Sequence, residues 1–374
     1  MRTEHQMENN NMIFNQYNDS NKKNTMTSNT KETTFKSNYN KDKFIENNNI
    51  IEYIKNNSKS ILSEDFEMQE YIGKGASGAV FKGIHKKNKK QVAIKFFINE
   101  KQKEKRQEKD NLKNTQEISL SRKLHNKNII ELYAYLKKEN IDYSILEYGK
   151  YGDMKYFLKN LLKRKTLSET ALNYFVKQIL EGLCYIHRCK IVHMDIKPDN
   201  ILINGNLEAK ITDFSISCSY SSLHPENLVK FPSVGTPKFM APEVMNKTHM
   251  KLKEAEKIDI YSLGVTIYYL FYGNYPYKLS EVKGEDYENI AEHIKTEELN
   301  FPKGIKISEK GKDFLKGMLE KDYNKRMNIS QALNHPWIKG SQIIFEEKEN
   351  LNCLENFLIK IVTDNISEFN NYLK

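Results

Sequence analysis

Apolar residues are distributed unevenly along this chain of 374 residues. Residues 1–63 are rich in Asn, Lys, Ser and Thr, and their apolar residues show no sustained period. Such a segment cannot bury enough apolar surface to offset the entropy lost on ordering. It is therefore predicted to be disordered, apart from a short helix over residues 44–54. Regular structure is expected to begin near Phe66.

The segment after Phe66 has the pattern of a β-hairpin that begins at a glycine-rich turn. Gly73, Gly75 and Gly78 form a G-x-G-x-x-G pattern, which also occurs in dinucleotide-binding turns. Those turns lead directly into a helix. Here the strand AVFKG, the turn HKKNKK and the strand QVAIKFF follow instead, which favours a hairpin. Glycines at such a turn let main-chain N–H groups approach phosphate oxygens without side-chain obstruction.

The remaining chain alternates helical and extended patterns. Residues 116–130 and 158–182 repeat apolar positions at helical spacing, whereas residues 141–147 read as a strand that ends at glycines. The longest apolar run, 258–272, is too short to cross a bilayer. Residues 345–374 again have helical spacing of apolar positions, which indicates either a helix packed on the folded core or an inhibitory or partner-binding helix.

Charge and cysteine content indicate which partners and which cellular compartment suit this chain. The net charge of +10 suits anionic partners, but much of it lies in lysine-rich stretches at 86–90 and 101–109, which we interpret as solvated loops. No aromatic–basic motif indicates a specific nucleic-acid partner. The four cysteines form no C-x-x-C pair, which fits a reducing intracellular compartment, the cytoplasm or the nucleus. The N-terminal sequence has neither a signal core nor a myristoylation glycine, so no membrane anchor is expected.

A polar stretch in the middle of the chain carries the candidate chemistry. Residues 191–214 read IVHMDIKPDNILINGNLEAKITDF. This stretch resembles the catalytic loop (H-R-D-x-x-x-x-N) and the metal-binding turn (D-F-G) of the eukaryotic protein kinase family. Further family motifs follow at matching distances: V-A-I-K at 92–95, GTPKFMAPEV at 235–244 and H-P-W at 335–337. The resemblance covers residues 66–338.

The resemblance implies an α+β, bilobal protein kinase fold. The β-rich small lobe would comprise residues 66–146, the hinge 147–152 and the mainly helical large lobe 153–338. ATP and Mg²⁺ would bind between the lobes. Residues 339–374 would form a C-terminal tail that contains the amphipathic helix.

Phosphoryl transfer depends mainly on positioning and on electrostatic stabilisation of phosphate charge. By resemblance, Asp195 accepts or orients the proton of the substrate hydroxyl, and Lys197 reaches the transferred group. Lys95 pairs with the α- and β-phosphates, and Glu117 clamps Lys95. The resemblance thus assigns catalytic roles to these four residues.

The same resemblance implies the cofactor contacts. Asn200 and Asp213 would supply oxygen ligands to Mg²⁺, which takes its other ligands from water and phosphates. Leu146 would be the gatekeeper, a side chain that narrows the back of the ATP pocket. The residues assigned to ATP binding are Ile72, Gly73, Lys74, Gly75, Ala76, Ser77, Gly78, Ala79, Val80, Ala93, Lys95, Leu146, Glu147, Tyr148, Asp153 and Leu202.

Three positions depart from the family pattern. Met194 replaces the usual Arg, Ser215 replaces the usual Gly of D-F-G, and Ser121 stands where an apolar residue normally packs behind Glu117. The segment 215–234 is expected to be the activation segment. Its candidate phosphorylation sites are Ser217, Ser219, Ser221, Ser222 and Ser233, although the Arg that usually helps to receive such a phosphate is absent.

Other residues are implied to be scaffold or to contact substrate. Glu243 is expected to form a buried pair with Arg326, and Asp259 to hold the main chain of the catalytic loop. Asp153 and Asp199 occupy positions at which basic-directed relatives carry acids, so a mild preference for basic substrates is predicted.

The motifs DIKPDNILI and VGTPKFMAPEV are similar to those of serine/threonine kinases, in particular the calcium/calmodulin-dependent branch or its upstream activating kinases. The predicted function is transfer of the γ-phosphoryl group of ATP to Ser or Thr hydroxyls of protein substrates. The alternative is a pseudokinase, an ATP-binding scaffold with little or no turnover. The C-terminal tail is a candidate site for a regulatory partner.

Overall fold

The computed structural model describes residues 54, 56, 62–75, 78–97, 115–138, 141–161, 166–279, 286–302 and 304–340. Most of the extension predicted to be disordered at 1–63 (residues 1–53, 55 and 57–61), the lysine-rich stretch at 101–109 and the tail helix at 345–374 lie outside these ranges.

The described residues form two compact units. The first, which we call the sheet unit, contains the residues up to Ile118 together with Leu132–Tyr148. The second, the helical unit, contains Ser119–Glu131 and the residues from Gly149 onward. One unit is dominated by a β-sheet and the other by helices, which confirms the predicted α+β fold class.

Five antiparallel strands build the sheet unit, in the spatial order β1-β2-β3-β5-β4. Alternate side chains point to opposite faces of a strand, so one face can be apolar throughout. That face holds the core of the unit, which includes Phe81, Ile94, Phe96, Tyr143 and Ile145. The strands are β1 (Phe66–Gly75), β2 (Gly78–His85), β3 (Gln91–Phe97), β4 (Leu132–Lys138) and β5 (Ile141–Glu147).

Two residues from the predicted disordered extension belong to this core. Ile54 and Leu62 are buried against the sheet, and the main-chain N–H of Ser63 donates a hydrogen bond to the Tyr143 hydroxyl at 3.0 Å. The predicted boundary at residue 63 is therefore too late. Isolated apolar residues that dock on an existing sheet leave no periodic signal in the sequence, which explains the error.

The helix predicted at 116–130 is shorter in the structure. Residues 115–121 are helical, and turns follow. The side chain of Asn126 accepts a hydrogen bond from the main-chain N–H of Asn128 at 2.8 Å. Asn residues offer the main chain such local alternatives to helical bonding, so the helical period of apolar residues does not continue as a helix.

Helices dominate the helical unit. The predicted helix at 158–182 is interrupted: a π-helical turn covers Phe157–Leu161, and the α-helix begins only at Glu169, where the Ser168 hydroxyl accepts a hydrogen bond from Ala171 N. The α-helices are α1 (Met154–Tyr156), α2 (Glu169–Arg188), α3 (Pro242–Met245), α4 (Glu256–Tyr272), α5 (Tyr287–Thr296), α6 (Glu309–Met318), α7 (Ile329–Asn334) and α8 (Pro336–Lys339).

Helix α4 is buried along almost its whole length, which accounts for the longest apolar run in the sequence. A helix that is apolar on all sides packs inside a core rather than at its surface. It ends at Gly273, whose φ of 71° is favourable only for a residue without a side chain. No helix in the described ranges is both long and apolar enough to cross a membrane.

Short strand pairs position the polar loops of the helical unit. The loop 193–200 connects β6 (Ile191–Val192) to β7 (Ile201–Ile203), and the loop 212–217 connects β8 (Ala209–Ile211) to β9 (Cys218–Ser219). β6 pairs with β9 and β7 pairs with β8 in two separate two-stranded sheets, so each loop runs between one strand pair and the other. A further pair joins β10 (Leu228–Val229) to β11 (Met250–Lys251).

Candidate active site

A buried carboxylate of α4 holds the loop 193–200 through hydrogen bonds from the loop main chain. Asp259 is fully buried and accepts hydrogen bonds from His193 N at 2.8 Å and from Met194 N at 2.9 Å. Met194 has a φ of 73°, a backbone conformation that is unfavourable for a residue with a side chain. The two hydrogen bonds stabilise this conformation and thereby fix the direction in which the loop continues to Asp195.

Donors surround the carboxylate of Asp195. Its Oδ2 accepts from Lys197 Nζ at 2.6 Å and from Asn200 Nδ2 at 2.9 Å. Its Oδ1 accepts from Thr236 N at 3.2 Å and from Thr236 Oγ1 at 3.1 Å. The carboxylate is thus held in one orientation by a cation, an amide and a threonine. The structure brings together the three residues that the sequence assigned to the catalytic loop: Asp195, Lys197 and Asn200.

Thr236 is a member of this cluster that the predicted site omitted. Its hydroxyl also accepts a hydrogen bond from Lys197 Nζ at 2.7 Å. The preceding Gly235 has a φ of 115°, and a Cβ there would lie 3.4 Å from Asp195 Oδ1. The sequence placed Gly235 and Thr236 in the family motif GTPKFMAPEV, so a signal was present, but the direct contact with Asp195 depends on tertiary packing.

The predicted metal ligands flank the strand pair of β7 and β8: Asn200 directly precedes β7, and Asp213 follows β8 by two residues. Thr212 N donates to the main-chain oxygen of Asn200 at 3.0 Å, which places Asp213 one residue beyond that contact. The Asn200 amide nitrogen is occupied by Asp195, so its oxygen is the atom left to coordinate a cation. A carboxylate and an amide oxygen form a donor set that fits Mg²⁺, which takes its remaining ligands from water and phosphate.

The departures Met194 and Ser215 fit this arrangement without disturbing it. The Met194 side chain is buried in the apolar core of the helical unit. Ser215 is buried too, and its φ is not positive, so this conformation does not require the glycine that is usual there. Asp213 instead adopts the left-handed conformation, with a φ of 67°.

In the sheet unit, Lys95 and Glu117 form a buried ion pair. Lys95 Nζ lies 2.5 Å from Glu117 Oε1, and both side chains are about nine-tenths buried. Lys95 comes from β3, and Glu117 comes from the helical segment 115–121. The predicted clamp between these two residues is therefore present in the geometry.

Predicted ATP contacts share one face of the sheet with Lys95. Val80 pairs with Lys95 across β2 and β3, and Ala93 pairs with Leu146 across β3 and β5. Ala93 and Lys95 are two residues apart and so point to the same face. Ile94 between them points into the core. The opposite face therefore presents an apolar surface of Val80, Ala93 and Leu146 beside a buried ammonium group.

The other predicted ATP contacts differ in placement. The side chain of Ala79 points into the core of the sheet unit, so only its main chain is available. Gly78 has no room for a side chain, because a Cβ would lie 1.8 Å from the main-chain oxygen of Phe96. The end of β1 contains Ile72, Gly73, Lys74 and Gly75, and the end of β5 contains Glu147, which Tyr148 follows. The helical unit contains Asp153 and Leu202. The described ranges do not include Ala76 and Ser77.

Comparison with known proteins identifies the family of this chain. The protein kinase domain family matches residues 66–338. The chain belongs to the protein kinase family.

Several kinases resemble this one along most of its length. Myosin light chain kinase A of Dictyostelium discoideum is 33% identical over 281 residues, 74% of this chain and 88% of that protein. Human death-associated protein kinase 2 is 33% identical over 303 residues, 79% of this chain and 78% of that protein. The serine/threonine-protein kinase TIO of Arabidopsis thaliana is 31% identical over 287 residues, which are 20% of TIO. The assignment to serine/threonine-type kinases, similar to the calcium/calmodulin-dependent group, is confirmed.

The serines of the kinase activation segment differ in accessibility. Ser219, Ser221 and Ser222 are exposed. Ser217 is fully buried, and its hydroxyl donates to the main-chain oxygen of His193 at 3.1 Å. The Ser233 hydroxyl donates to a main-chain oxygen in α3, that of Val244, at 2.7 Å. Only the first three present a hydroxyl that another protein can reach in this conformation.

Glu243 and Arg326 form the buried ion pair that the sequence predicted. Arg326 donates to Glu243 Oε1 at 2.6 Å and to Glu243 Oε2 at 3.0 Å. Arg326 also donates to the main-chain oxygens of Lys257 and Glu320. The guanidinium therefore ties α3, which follows the activation segment, to the start of α4.

Proposed function

We propose that this chain is an ATP-dependent serine/threonine protein kinase that transfers the γ-phosphoryl group to hydroxyls of protein substrates. The cluster of Lys197, Asn200 and Thr236 around Asp195 is the observation that carries the proposal. It fixes a carboxylate acceptor beside a cation, which is the arrangement that phosphoryl transfer needs at the attacking hydroxyl.

Each residue then has a defined task. Asp195 accepts a hydrogen bond from the substrate hydroxyl and orients its oxygen toward the phosphorus. Lys197 lies 2.6 Å from that carboxylate and supplies positive charge to the transferred group. Lys95, held by Glu117, binds phosphate oxygens of ATP. Val80, Ala93 and Leu146 offer an apolar surface for the adenine ring.

Asn200 and Asp213 would hold the divalent cation. When bound, Mg²⁺ neutralises negative charge on the phosphates as the transferred group leaves. The Asn200 side chain would link the two functions, because its nitrogen donates to Asp195 and its oxygen would be the ligand for the cation. This makes Asn200 a positioning residue for Asp195 as well as a ligand.

Two features favour turnover over the pseudokinase alternative. The four catalytic residues and the two metal ligands are all present. Neither unusual residue removes one of them: Met194 contributes its main-chain N–H, and Ser215 has a φ that is not positive.

The free cysteines among the described residues support an intracellular, cytoplasmic location, which cell fractionation would test.

The decisive experiment measures transfer of phosphate from ATP and Mg²⁺ to a generic basic protein. Asp195→Asn should abolish transfer, because a neutral amide has neither the negative charge nor the basicity to take the proton of the substrate hydroxyl. Asp65→Asn, an isosteric change at an exposed position of the sheet unit, is the matched control and should retain full activity. Equal activity of wild type and Asp195→Asn would contradict the proposed role of Asp195.

A second measurement separates binding from turnover. ATP with Mg²⁺ should raise the thermal midpoint of wild type, since a ligand that binds only the folded state stabilises it. Asp213→Asn should reduce the additional shift that Mg²⁺ provides over ATP alone. A protein that is stabilised by ATP but never transfers phosphate would support the pseudokinase reading.

A further inference from the structure

The turn that joins Lys197 to Asn200 exposes a carboxylate beside the catalytic cluster. Asp199 lies in the 3₁₀ turn Pro198–Asn200, one residue before the amide that holds Asp195. Because Asn200 of this turn contacts Asp195, a polypeptide that delivers a hydroxyl to Asp195 comes close to the side chains exposed on the turn. Asp199 is therefore placed to meet residues that flank the acceptor.

The carboxylate of Asp199 is already occupied by a residue of the same chain. Lys155 Nζ lies 3.1 Å from Asp199 Oδ1, and both side chains are about half exposed. Lys155 belongs to α1 and precedes Asp199 by 44 residues along the chain. The hydrogen bond to Asp199 raises the pKa of Lys155, so the lysine is charged at neutral pH.

A second carboxylate near this pair, that of Asp153, also has a hydrogen-bond partner in the same chain. Asp153 caps α1 by accepting a hydrogen bond from Tyr156 N at 2.8 Å. Burial raises the pKa of Asp153; the negative charge of Asp199 adds to this rise, and the positive charge of Lys155 counteracts it. Lys155 thus forms an ion pair with Asp199 and also favours the charged form of Asp153.

The other turn beside Asp195 presents a positive group. Lys238 lies in the 3₁₀ turn Pro237–Phe239, directly after Thr236, with its ammonium 4.8 Å from the centre of the Tyr275 ring. Within the described part of the chain, no carboxylate lies within ion-pair distance of Lys238. The surface beside the acceptor site therefore carries no uncompensated negative charge from these turns.

We infer that Lys155 is a specificity-determining residue that prevents Asp199 from selecting a basic residue in the substrate. The inference rests on the proposed kinase activity, and it runs against the preference for basic substrates that the sequence predicted from Asp199. A substrate arginine can reach Asp199 only by displacing Lys155. An exposed ion pair contributes little net free energy. Exchanging the pair of Lys155 and Asp199 for a pair of substrate arginine and Asp199 therefore gives almost no discrimination between basic and neutral substrates.

The test compares peptides with one central serine in a neutral background. Each carries either Arg or Gln at one of the three positions on either side of the serine. Kinetics and peptide binding, the latter by fluorescence anisotropy, are measured for wild type and Lys155→Met, which removes the charge but keeps an apolar stem. Lys316→Met, at an exposed lysine of α6, is the matched control.

For wild type, we expect Arg and Gln peptides to differ by less than about twofold in kcat/KM. Lys155→Met should favour the Arg peptide by about threefold to fivefold at one position at least, through KM rather than kcat. The gain should disappear in Lys155→Met/Asp199→Asn and shrink at high salt, since exposed charges are screened. The Lys316→Met control should behave as wild type.

The outcomes separate the two proposals. If phosphate is transferred but Lys155→Met leaves the Arg-to-Gln ratio unchanged, the role of Lys155 is refuted and the kinase activity stands. If no variant transfers phosphate, the proposed activity fails. The anisotropy measurement then still decides whether Lys155→Met strengthens binding of Arg peptides selectively. A wild-type preference for Arg above about fivefold also refutes the inference.

Discussion

Asp259 accepts a hydrogen bond from the main-chain N–H of Met194 at 2.9 Å, although the two residues are 65 positions apart. The other carboxylate oxygen accepts from His193 N and lies 2.8 Å from His187 Nε2. A single buried carboxylate thus satisfies two loop amides that would otherwise have no partner. Met194 keeps an unfavourable backbone angle because this contact stabilises it.

Replacing Asp259 with Asn should destabilise the protein and abolish phosphate transfer. An amide supplies one acceptor oxygen, so its nitrogen would oppose one of the loop N–H groups. Leaving such a buried donor unsatisfied costs about 1–3 kcal/mol. Urea unfolding measures the loss, and Asp286→Asn at the start of α5 is the control, since Asn caps a helix as well as Asp does. Equal stability of both variants would contradict this role of Asp259.

The buried pair of Glu243 and Arg326 should show strong coupling in a double-mutant cycle. Arg326→Met leaves a buried, unpaired carboxylate and should cost about 3–5 kcal/mol of unfolding free energy. Removing both charges in Arg326→Met/Glu243→Leu should be less costly than the single change, because no unpaired charge remains. Urea unfolding of wild type, Arg326→Met, Glu243→Leu and the double variant tests this. Additive costs of the two single changes would argue against the coupling.

Phosphorylation of the activation segment should follow the exposure of its serines. After incubation with ATP and Mg²⁺, mass spectrometry should find phosphate on Ser219, Ser221 or Ser222. Ser217 should remain unmodified, because its buried hydroxyl is bonded to His193 O. The Ser217→Ala variant should therefore incorporate as much phosphate as wild type. Dominant modification of Ser217 would show that the segment opens beyond the conformation described.

Alkaline pH should destabilise the protein because a thiol and a phenol hold their protons more tightly in the folded state than in the unfolded chain. Burial raises the pKa of Cys218 from 9.0 to about 12 and that of Tyr220 from 10.0 to about 12. The unfolded chain therefore releases these protons at lower pH than the folded protein. Their contribution to stability is complete below pH 9 and is lost as the pH rises toward 12.

The urea midpoint should consequently fall between pH 9 and pH 12. In Tyr220→Phe the fall should be shallower, since one of the two groups no longer ionises. Tyrosine absorbance near 295 nm, recorded in parallel, shows when the phenols ionise. A midpoint that stays constant up to pH 11 would contradict the raised pKa values.

Residue type and spacing were sufficient to predict much of the sheet unit. Alternation of side chains along a strand has a fixed period of two, so the apolar face with Phe81 and Ile94 follows from the sequence directly. The same rule places Lys95 and Ala93 together on the opposite face. The pairing of Lys95 with Glu117 came from the family pattern, and the geometry contains it.

Predictions of helix boundaries were less successful. The apolar period at 116–130 continues past the end of the helix at 121, because asparagine side chains stabilise turns there. The period at 158–182 does not reveal that α2 begins only at Glu169. Local hydrogen bonds that compete with the helix, such as the cap formed by Ser168, decide where it starts and ends.

The sequence by itself determined which chemical groups the protein has and which of them lie near one another along the chain. Asp195, Lys197 and Asn200 belong to one short loop, so local spacing predicts their cluster. Tertiary structure alone placed Thr236 on Asp195, 41 residues away, and Lys155 on Asp199, 44 residues away. Such partners depend on how separate elements pack, and packing leaves no local pattern from which a distant contact can be predicted.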